Sequence, residues 1–594
     1  MIQDIILIPF LFVFSYLFLL SKRGLHLHPD TAQFLYIPVL KRSGYKFIPN
    51  KPLGSFCKNL FSSPTPASLN MLRGDYQPVQ YGMPVVWFYN VFFRFYKGDI
   101  KGFRTLNAFY LAFTTCAIYL VAKKICPAPY PLVTSLFLLF GFLVPYTDSR
   151  QLHKEHYGLI FVLLSFLLIL YDIKIGGLIA GILLVLAVLL FKITFLFDLV
   201  AIALYYPISG NIGKLPFFFL GIFFGLTLLF FICSTNGTLP FLASSLNPKI
   251  IFSWYKQNMP SEHMETGKAR ANSDALGLRN YLPFLLYISL PCYFTVIYII
   301  KSFFIQPGMN TFFLFWLFLS LISIRVQNKY FPGHLIAMFI PVSFIAGFSF
   351  LDIYQGTLTS HVILNRVSQI GLVLFSLPSM FMLLRGLMMK TPDFHLSLYN
   401  SPPNRRALRF LAAEIMANDL RYLTHEEDRI FQWGNNVEVY PLAERRGTLG
   451  AIEIAWYTTD PELMDTLFGD VWREVALDSV KKWKPKYIAD LHGSLNIEAL
   501  NKYTGLKYEV EKIYYDLFSL YRLVEESPTD VETIEFSSLT STNITRKWID
   551  KEIPLNQFID KLTLAFLRGD DVGEAWTNKI EQMKRDWEVV AVNL

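Results

Sequence analysis

Eight residues among the first 330 are candidates for moving protons or binding phosphate groups: Asp30, Asp148, Arg150, Glu155, Lys192, Arg325, Lys329 and Tyr330. A carboxylate can take the proton of an attacking hydroxyl group as a general base. Fixed cations stabilise the negative charge that develops on a departing phosphate. These residue types therefore fit the transfer of a group from a phosphate-bearing donor to a hydroxyl acceptor, provided that the fold brings them together.

The composition is that of a membrane protein. Hydrophobic residues make up 53% of the 594-residue chain and charged residues only 17%, against about 25% in soluble domains. Nearly every long apolar run precedes residue 390, and the later part has an ordinary charge density. The net charge of +8 is too dilute to indicate nucleic-acid binding, and the five scattered cysteines define no disulfide or zinc framework.

Eleven apolar segments are predicted to span the membrane, because a spanning helix needs about 20 mainly apolar residues. The first segment is expected to remain as an anchor, since it lacks the basic region and the cleavage site of a signal peptide. The segments cover approximately residues 3–20, 105–122, 131–147, 157–171, 175–191, 193–207, 215–233, 281–300, 309–324, 333–351 and 364–386.

The rest of the chain forms long loops and a C-terminal domain. Residues 1–389 are the predicted transmembrane domain, with long loops at 21–104 and 234–279, and residues 390–594 are the predicted soluble domain. The aromatic-rich stretch 84–96 predicts an interfacial helix. Beyond residue 390, "DRIFQWG", "KPKYIADL" and "YEVEKIYYDLFSLYRLV" predict strands between helices. The predicted fold is an α-helical polytopic membrane protein of about eleven transmembrane helices with a C-terminal soluble α/β domain.

Counting helical hairpins places the candidate residues at one face of the membrane. Asp30 follows the first segment, residues 148–155 join the third and fourth, Lys192 separates the fifth and sixth, and residues 325–330 join the ninth and tenth. Ionisable groups near membrane depth are costly and usually face a water-filled cavity or a partner. We therefore expect a site for an anionic, membrane-borne substrate at this face.

The order of several stretches gives a further indication: the apolar anchor, "HPDTAQFLYIPVLKRSG", "PVVWFYNVFFRFYKGD", "GFRTLNAFYLAFTTCAIYLVAKKI", "PYTDSRQLHKEHYG", "LLFKITFLFDLV" and "RVQNKYFPGHLIAMFIPVSFIAG". Over about residues 1–350 this order resembles the polyprenyl-phosphate-dependent glycosyltransferases of the GT-C fold, in particular the protein mannosyltransferase and aminoarabinose lipid A transferase branch. The resemblance implies a multi-pass protein of the plasma (inner) membrane whose soluble domain lies on the extracytoplasmic side. The implied substrates are a polyprenyl-phosphate-linked sugar and an acceptor hydroxyl on a lipid, glycan or protein.

The resemblance also implies roles for the acids. The first long loop is expected to face the extracytoplasmic space and to carry the catalytic acid, which corresponds to Asp30. A second acid corresponds to Asp148, with Glu155 as the alternative. Family members often carry Asp-Glu in the first-loop motif, whereas Asp30 is followed by Thr31, a departure that disfavours a role for paired carboxylates at this point.

The cations are expected near the lipid phosphate. Lys192 and the stretch Arg325, Lys329 and Tyr330 correspond to this part of the site, and Arg150 adds a further positive charge beside the second acid. No nucleotide cofactor is expected, because the chain has no Walker-type or GxGxxG loop. The sequence neither requires nor excludes a divalent cation as a cofactor. No nucleic acid is expected as a partner.

Each candidate in the first loop also has a plain structural interpretation. Asp30 precedes a helical run, where Asp is a favoured N-cap. His26 and His28 have the chemistry to bind a metal together with Asp30, or they form a solvated, interfacial pair.

The other candidates likewise have structural alternatives. Arg150 and Lys154 can pair with the acids of their own turn, a solvated arrangement that contributes only about 0–1 kcal/mol per pair. Lys192 can extend to the interface, but no acid follows it before Asp198. Tyr330 fits a belt of interfacial aromatic residues.

Two other functions compete with transfer. A transporter or flippase of lipid-linked sugars would use the same cations without forming a glycosidic bond, although the sequence shows no repeated halves or broken helices of the kind common in transporters. A scaffold would use the soluble domain to recruit partners and would not depend on Asp30.

Overall fold

The structure, a computed structural model, divides into two compact units. It describes residues 2–20, 29–42, 46–49, 76–79, 91, 100–143, 154–171, 175–235, 278–304, 309–327, 336–358, 362–388, 405–433, 437–448, 477–491, 493 and 495–526. The first unit comprises residues 1–23, 104–239 and 248–390, and the second comprises residues 24–103, 240–247 and 391–594. The loop 24–103, which the sequence-based division assigned to the transmembrane domain, thus groups with the second unit.

Helices dominate the described residues. Their bounds are α1 Ile2–Leu20, α2 Pro29–Arg42, α3 Ile100–Ile125, α4 Tyr130–Leu143, α5 Lys154–Leu170, α6 Gly176–Leu186, α7 Leu196–Ile208, α8 Leu215–Thr235, α9 Leu278–Phe304, α10 Met309–Gln327, α11 Ile336–Tyr354, α12 Val362–Met388, α13 Arg405–Leu423, α14 Val439–Ala443 and α15 Ile497–Thr504. The first unit contains α1, nearly all of α3, and α4 to α12.

A helix occupies each of the eleven apolar segments predicted from the sequence. Within the described residues, three stretches are long and apolar enough to cross a membrane: Gly102–Ile125, Ile212–Phe231 and Val362–Phe381. Other apolar helices, such as α4 and α7, are shorter than the roughly 17 residues at the low end of the spanning range. The number of spans therefore stays a prediction, although the apolar helices themselves are present.

Glycines allow α6 and α8 to pack at close range. A Cβ atom added at Gly181 would overlap the carbonyl oxygen of Phe218, and one added at Gly221 would overlap that of Leu178. Small residues spaced by four let helix backbones approach in this way. Near the start of both helices, a Cβ added at Gly177 would lie 3.6 Å from the backbone nitrogen of Phe218, and further along both, one added at Gly225 would lie 3.1 Å from the Cβ of Val185. Because these two contacts advance in the same direction, α6 and α8 run parallel, and α7 connects them in the chain.

The second unit contains a five-stranded sheet with the order β4-β3-β5-β7-β6. The strands are β3 Arg429–Trp433, β4 Arg446–Gly447, β5 Tyr487–Asp490, β6 Leu506–Tyr514 and β7 Phe518–Glu526, while β1 Lys46–Pro49 and β2 Tyr76–Val79 pair separately in parallel. Strand β3 is parallel to β4 and β5, and β7 is antiparallel to β5 and β6. The strands predicted from "DRIFQWG", "KPKYIADL" and "YEVEKIYYDLFSLYRLV" are therefore confirmed.

Candidate functional site

An ion pair joins Glu155 to Lys192. Glu155 lies in the first turn of α5, where the helix dipole favours a negative charge. The side chains of Glu155 and Lys192 are only 9% and 11% exposed. The chain is tightly packed beside this pair, since a Cβ added at Gly158 would overlap the ring of Phe195.

The backbone around Lys192 forms the tip of a helical hairpin. Helix α6 continues into a π-helical turn at Ala187–Phe191, Lys192 itself is extended, and a 3-10 turn at Ile193–Phe195 leads into α7. At the other end of the hairpin, a Cβ added at Gly177 would lie 3.0 Å from the hydroxyl of Tyr206. The two helices therefore run antiparallel, with Lys192 where the chain reverses.

This arrangement bears on two interpretations made from the sequence. Lys192 has no acid close by in the sequence before Asp198, but the fold supplies one in Glu155, 37 positions earlier. Glu155 is only 7% exposed, so its surroundings are not those of a solvated turn. Its pairing with Arg150 or Lys154 stays a prediction, because those side chains lie outside the described residues. Residues 144–153, which include Asp148 and Arg150, lie outside the described residues.

Helix α3 contributes a buried polar face that the sequence analysis did not include in the site. Arg104 and Asn107 are 7% and 4% exposed, and Tyr110, one turn further, donates a hydrogen bond to the carbonyl oxygen of Tyr157 at 2.6 Å. His156, next to Glu155, is fully buried. The spacing of Arg104, Asn107 and Tyr110 by three residues was the available signal, because it places all of them on one face of a helix.

Arg325 lies at the same end of the first unit as Lys192. Helix α10 packs antiparallel to α7: Phe312 contacts Tyr205 with ring centroids 5.2 Å apart, and Trp316 donates a hydrogen bond to Asp198 at 2.7 Å. From Trp316, which lies beside Asp198, α10 therefore continues towards the tip of the α6–α7 hairpin. The backbone of Arg325 is near the end of α10, whereas Lys329 and Tyr330 lie outside the described residues.

Asp30 belongs to the second unit. Helix α2 begins at Pro29, so Asp30 lies inside the first turn and does not precede the helix as an N-cap. His26 and His28 lie outside the described residues, as does the predicted interfacial helix 84–96 apart from Val91.

A second ion pair, Lys301 with Asp352, lies at the opposite end of the first unit. Tyr130 donates a hydrogen bond to Asp352 at 3.4 Å, and Tyr130 follows the end of α3 after a short turn. From Tyr110, beside the Glu155 end, α3 continues to Ile125, a rise of about 22 Å. Among the residues that the structure describes, the apolar bundle thus carries a largely buried ion pair at each end.

Metal-ligand clusters are absent from the described part of the chain: no three His, Cys, Asp or Glu side chains are placed there to hold an ion. This statement does not extend to residues 21–28 or 144–153, which contain several candidates.

Comparisons with known proteins identify similar solved structures only. No protein-family model and no curated protein sequence matches the chain. The chain is similar to the crystal structure of ArnT from Cupriavidus metallidurans bound to undecaprenyl phosphate, with a TM-score of 0.49, 11% identity, and coverage of 88% of this chain and 99% of that chain. It is also similar to the Archaeoglobus fulgidus oligosaccharyltransferase tethered to an acceptor peptide with the NVT sequon, with a TM-score of 0.39, 11% identity, and coverage of 84% and 70%.

The apo form of the same oligosaccharyltransferase is similar with a TM-score of 0.37, 11% identity, and coverage of 84% of this chain and 73% of that chain. ArnT and the oligosaccharyltransferase are GT-C fold glycosyltransferases, the class that the sequence resemblance named. Similarity at this level defines no correspondence between individual residues.

Proposed function

We propose that the chain is a membrane glycosyltransferase that moves a sugar from a polyprenyl-phosphate donor to a hydroxyl group of a cell-envelope acceptor. The observation that carries this proposal is the Glu155–Lys192 ion pair at one end of an apolar bundle. Buried Arg104 lies on the neighbouring helix, and the backbone of Arg325 is at the same end of the bundle. Lipid phosphates are anions held at a membrane boundary, and fixed cations there suit their recognition.

Glu155 positions the ammonium group of Lys192 in this proposal. An ammonium group on a four-carbon stem has three donors and many rotamers, so a buried carboxylate beside it restricts where those donors point. The second acid of the site is then Asp148, which orients the acceptor or a metal ion, and Arg150, Lys329 and Tyr330 complete the surroundings of the donor. Neither the sugar nor the acceptor class follows from these residues.

The reaction consists of one displacement. Asp30 takes the proton of the acceptor hydroxyl, the oxygen attacks the anomeric carbon of the sugar, and the bond between that carbon and the phosphate oxygen breaks with inversion. The electron pair leaves with the polyprenyl phosphate, whose added charge the cations stabilise. General-base catalysis of this kind typically contributes about 10²–10⁴-fold, and binding in a fixed geometry contributes further.

The test is to incubate the purified protein with a set of polyprenyl-phosphate sugars and to measure released polyprenyl phosphate. The Asp30→Asn protein is expected to lose at least about 10²-fold in the rate of release while keeping its fold. Asp419→Asn is the matched control, because Asp419 pairs with Lys512 on the second unit and has no proposed role. Full release by the Asp30→Asn protein would show that Asp30 is not the general base. The scaffold predicts instead that the purified protein releases nothing and that Asp30→Asn keeps full activity in cells.

The competing function is a transporter or flippase of lipid-linked sugars. The same cation cluster would bind its substrate, so donor binding alone does not separate the two functions. Liposomes that contain the protein and a fluorescent lipid-linked sugar separate them: transfer releases polyprenyl phosphate, whereas transport moves the intact donor between leaflets. Movement of every donor without release would replace the transferase by the transporter.

A further inference from the structure

Helix α2, which carries Asp30, is a buried element of the second unit. Its central side chains are almost inaccessible, with Phe34 at 2% exposure and Leu35 and Tyr36 at 0%. A helix that is buried on several faces is held by its neighbours more than by its own propensity. The elements that contact α2 therefore determine where its first turn lies.

Tyr36 joins α2 to two elements of the C-terminal part of the chain. Its ring stacks on Tyr440 in α14, with centroids 5.0 Å apart and planes inclined by 17°. Its hydroxyl oxygen accepts a hydrogen bond from the backbone N–H of Gly447 in β4 at 2.7 Å. One side chain thus contacts both a helix and an edge strand of the α/β domain, although more than 400 positions separate them from it.

The end of α2 makes a second connection to the same region. Arg42 forms an ion pair with Glu444 at 2.9 Å, between side chains that are 40% and 21% exposed. Glu444 has a φ angle of 55° at the end of α14, in the left-handed region that non-glycine residues seldom adopt. Such a conformation persists only where the surrounding structure holds it in place.

Arg445 supplies that support. Arg445 is 6% exposed, and its guanidinium group donates hydrogen bonds to the hydroxyl and carbonyl oxygens of Thr424 at 2.6 and 2.7 Å and to the carbonyl oxygen of Ala443 at 3.0 Å. These bonds tie the segment that receives α2 to the end of α13. The surface that receives α2 is therefore built by the C-terminal domain itself.

We propose that the C-terminal α/β domain positions the helix that bears the catalytic acid, with Tyr36, Arg42 and Glu444 as positioning residues. This inference rests on the proposed function of Asp30. Asp30 lies six residues before Tyr36, about 9 Å along a helix, so a shift of the Tyr36 ring is transmitted to the first turn. Catalytic groups need to be held within about 0.5 Å of their productive positions.

Two sets of variants test this role. Tyr36→Ala removes both contacts of the ring and is expected to lower kcat for sugar transfer about 10²-fold, the loss typical of a misplacement near 1 Å, with little change in the KM for the donor. Arg42→Glu and Glu444→Arg are each expected to lower kcat several-fold, and the double variant is expected to recover most of that loss. A purely structural contact predicts lower stability of the variants and an unchanged kcat of the folded fraction.

Hydrogen exchange of residues 29–42 in the full-length protein provides a readout independent of activity, and the helix is expected to lose protection in the Tyr36→Ala protein. The control is Arg522→Glu, which breaks the Arg522–Glu511 pair of similar exposure, 51% and 28%, on the same unit, and it is expected to leave kcat and exchange unchanged. A normal kcat for a Tyr36→Ala protein with an unprotected helix would overturn the positioning role alone. No transfer by the unmodified protein, with its helix protected, would instead overturn the function of Asp30 on which this role rests.

Discussion

The carboxylate of Glu155 and the ammonium group of Lys192 form an ion pair between the start of α5 and the tip of the α6–α7 hairpin. One residue lies where α5 begins and the other where the α6–α7 hairpin turns. Because both side chains are about nine-tenths buried, the pair fixes the relative position of these two ends in a medium where a lone charge is costly. Because each charge depends on the other, single and double variants can distinguish the contribution of the pair to stability from its contribution to donor binding.

The first prediction concerns Lys192→Met. Removal of one partner from a buried pair typically costs about 3–5 kcal/mol, because the opposite charge loses its compensation. We expect Lys192→Met to lower the melting temperature and to weaken binding of the polyprenyl-phosphate donor at least tenfold. In the double variant Glu155→Gln/Lys192→Met, the stability is expected to return to within about 1 kcal/mol of the unmodified protein, whereas donor binding stays weak.

The Lys301–Asp352 pair provides the control for that experiment. Lys301→Met removes the ammonium group of a similar pair at the opposite end of the same bundle, so its effect on thermal stability is expected to be comparable. Donor binding, measured with a fluorescent polyprenyl-phosphate analogue, is expected to be unchanged. Equal loss of binding in the two lysine variants would mean that Lys192 acts through stability only.

The second prediction concerns the buried bond between Trp316 and Asp198. Trp316→Phe keeps a large ring but removes the N–H group that donates to the Asp198 carboxylate, and an unsatisfied buried acceptor costs about 1–3 kcal/mol. We expect a clear decrease in melting temperature for Trp316→Phe and a smaller one for Asp198→Asn, since the amide oxygen of Asn still accepts the bond. A larger loss in Asp198→Asn would indicate that the negative charge of Asp198 is needed elsewhere.

Local sequence patterns were sufficient to predict the apolar helices and the strands of three stretches, whereas β1, β2, β4, α14 and α15 were not predicted. Uninterrupted apolar runs mark helices α1 and α3 to α12, and runs of β-branched and aromatic residues mark β3 and the β6–β7 hairpin. These signals extend over 5 to 20 residues and need no knowledge of neighbours. The hairpin count also indicated correctly that residue 192 separates two helices.

The pairings between distant residues were not predictable in the same way. The partner of Lys192 lies 37 positions away, and the partner of Tyr36 lies 411 positions away, so neither pairing leaves a local pattern. The sequence alone therefore assigned Asp30 to the transmembrane domain, although its helix groups with the C-terminal domain in the second unit. Buried Arg104 and Asn107 did leave a helical spacing, but they lie at the start of an apolar segment and not in the loops that carry the other candidates.

The third prediction uses the close contact between α6 and α8. Gly221→Ala places a methyl group against the carbonyl oxygen of Leu178, and overpacking of this kind typically costs about 1–3 kcal/mol. Gly213→Ala is the matched control, because a Cβ there has no atom within 4 Å. We expect a lower melting temperature for Gly221→Ala only, and equal values for the two variants would contradict the close packing of these helices.

The fourth prediction concerns pH and Glu444. Burial raises the pKa of the Glu444 carboxyl, and the positive charge of Arg42 opposes this shift only in part. A raised pKa means that the folded unit favours the protonated form, so the contribution of Glu444 to the free energy of unfolding is fully present below the ordinary value of about 4.3 and is lost as the pH rises through the raised value.

Glu444→Gln removes this titration, so the stability of the variant relative to the unmodified protein is expected to increase as the pH rises from about 4 through the raised pKa. Urea unfolding followed by tryptophan fluorescence measures the difference, since both proteins contain the same ten tryptophans. The Arg42–Glu444 pair needs the ionised carboxylate, so the loss of kcat in Arg42→Glu is expected to shrink on acidification over the same range. A difference in stability that is independent of pH would show that Glu444 titrates as it does in the unfolded chain and that burial does not affect it.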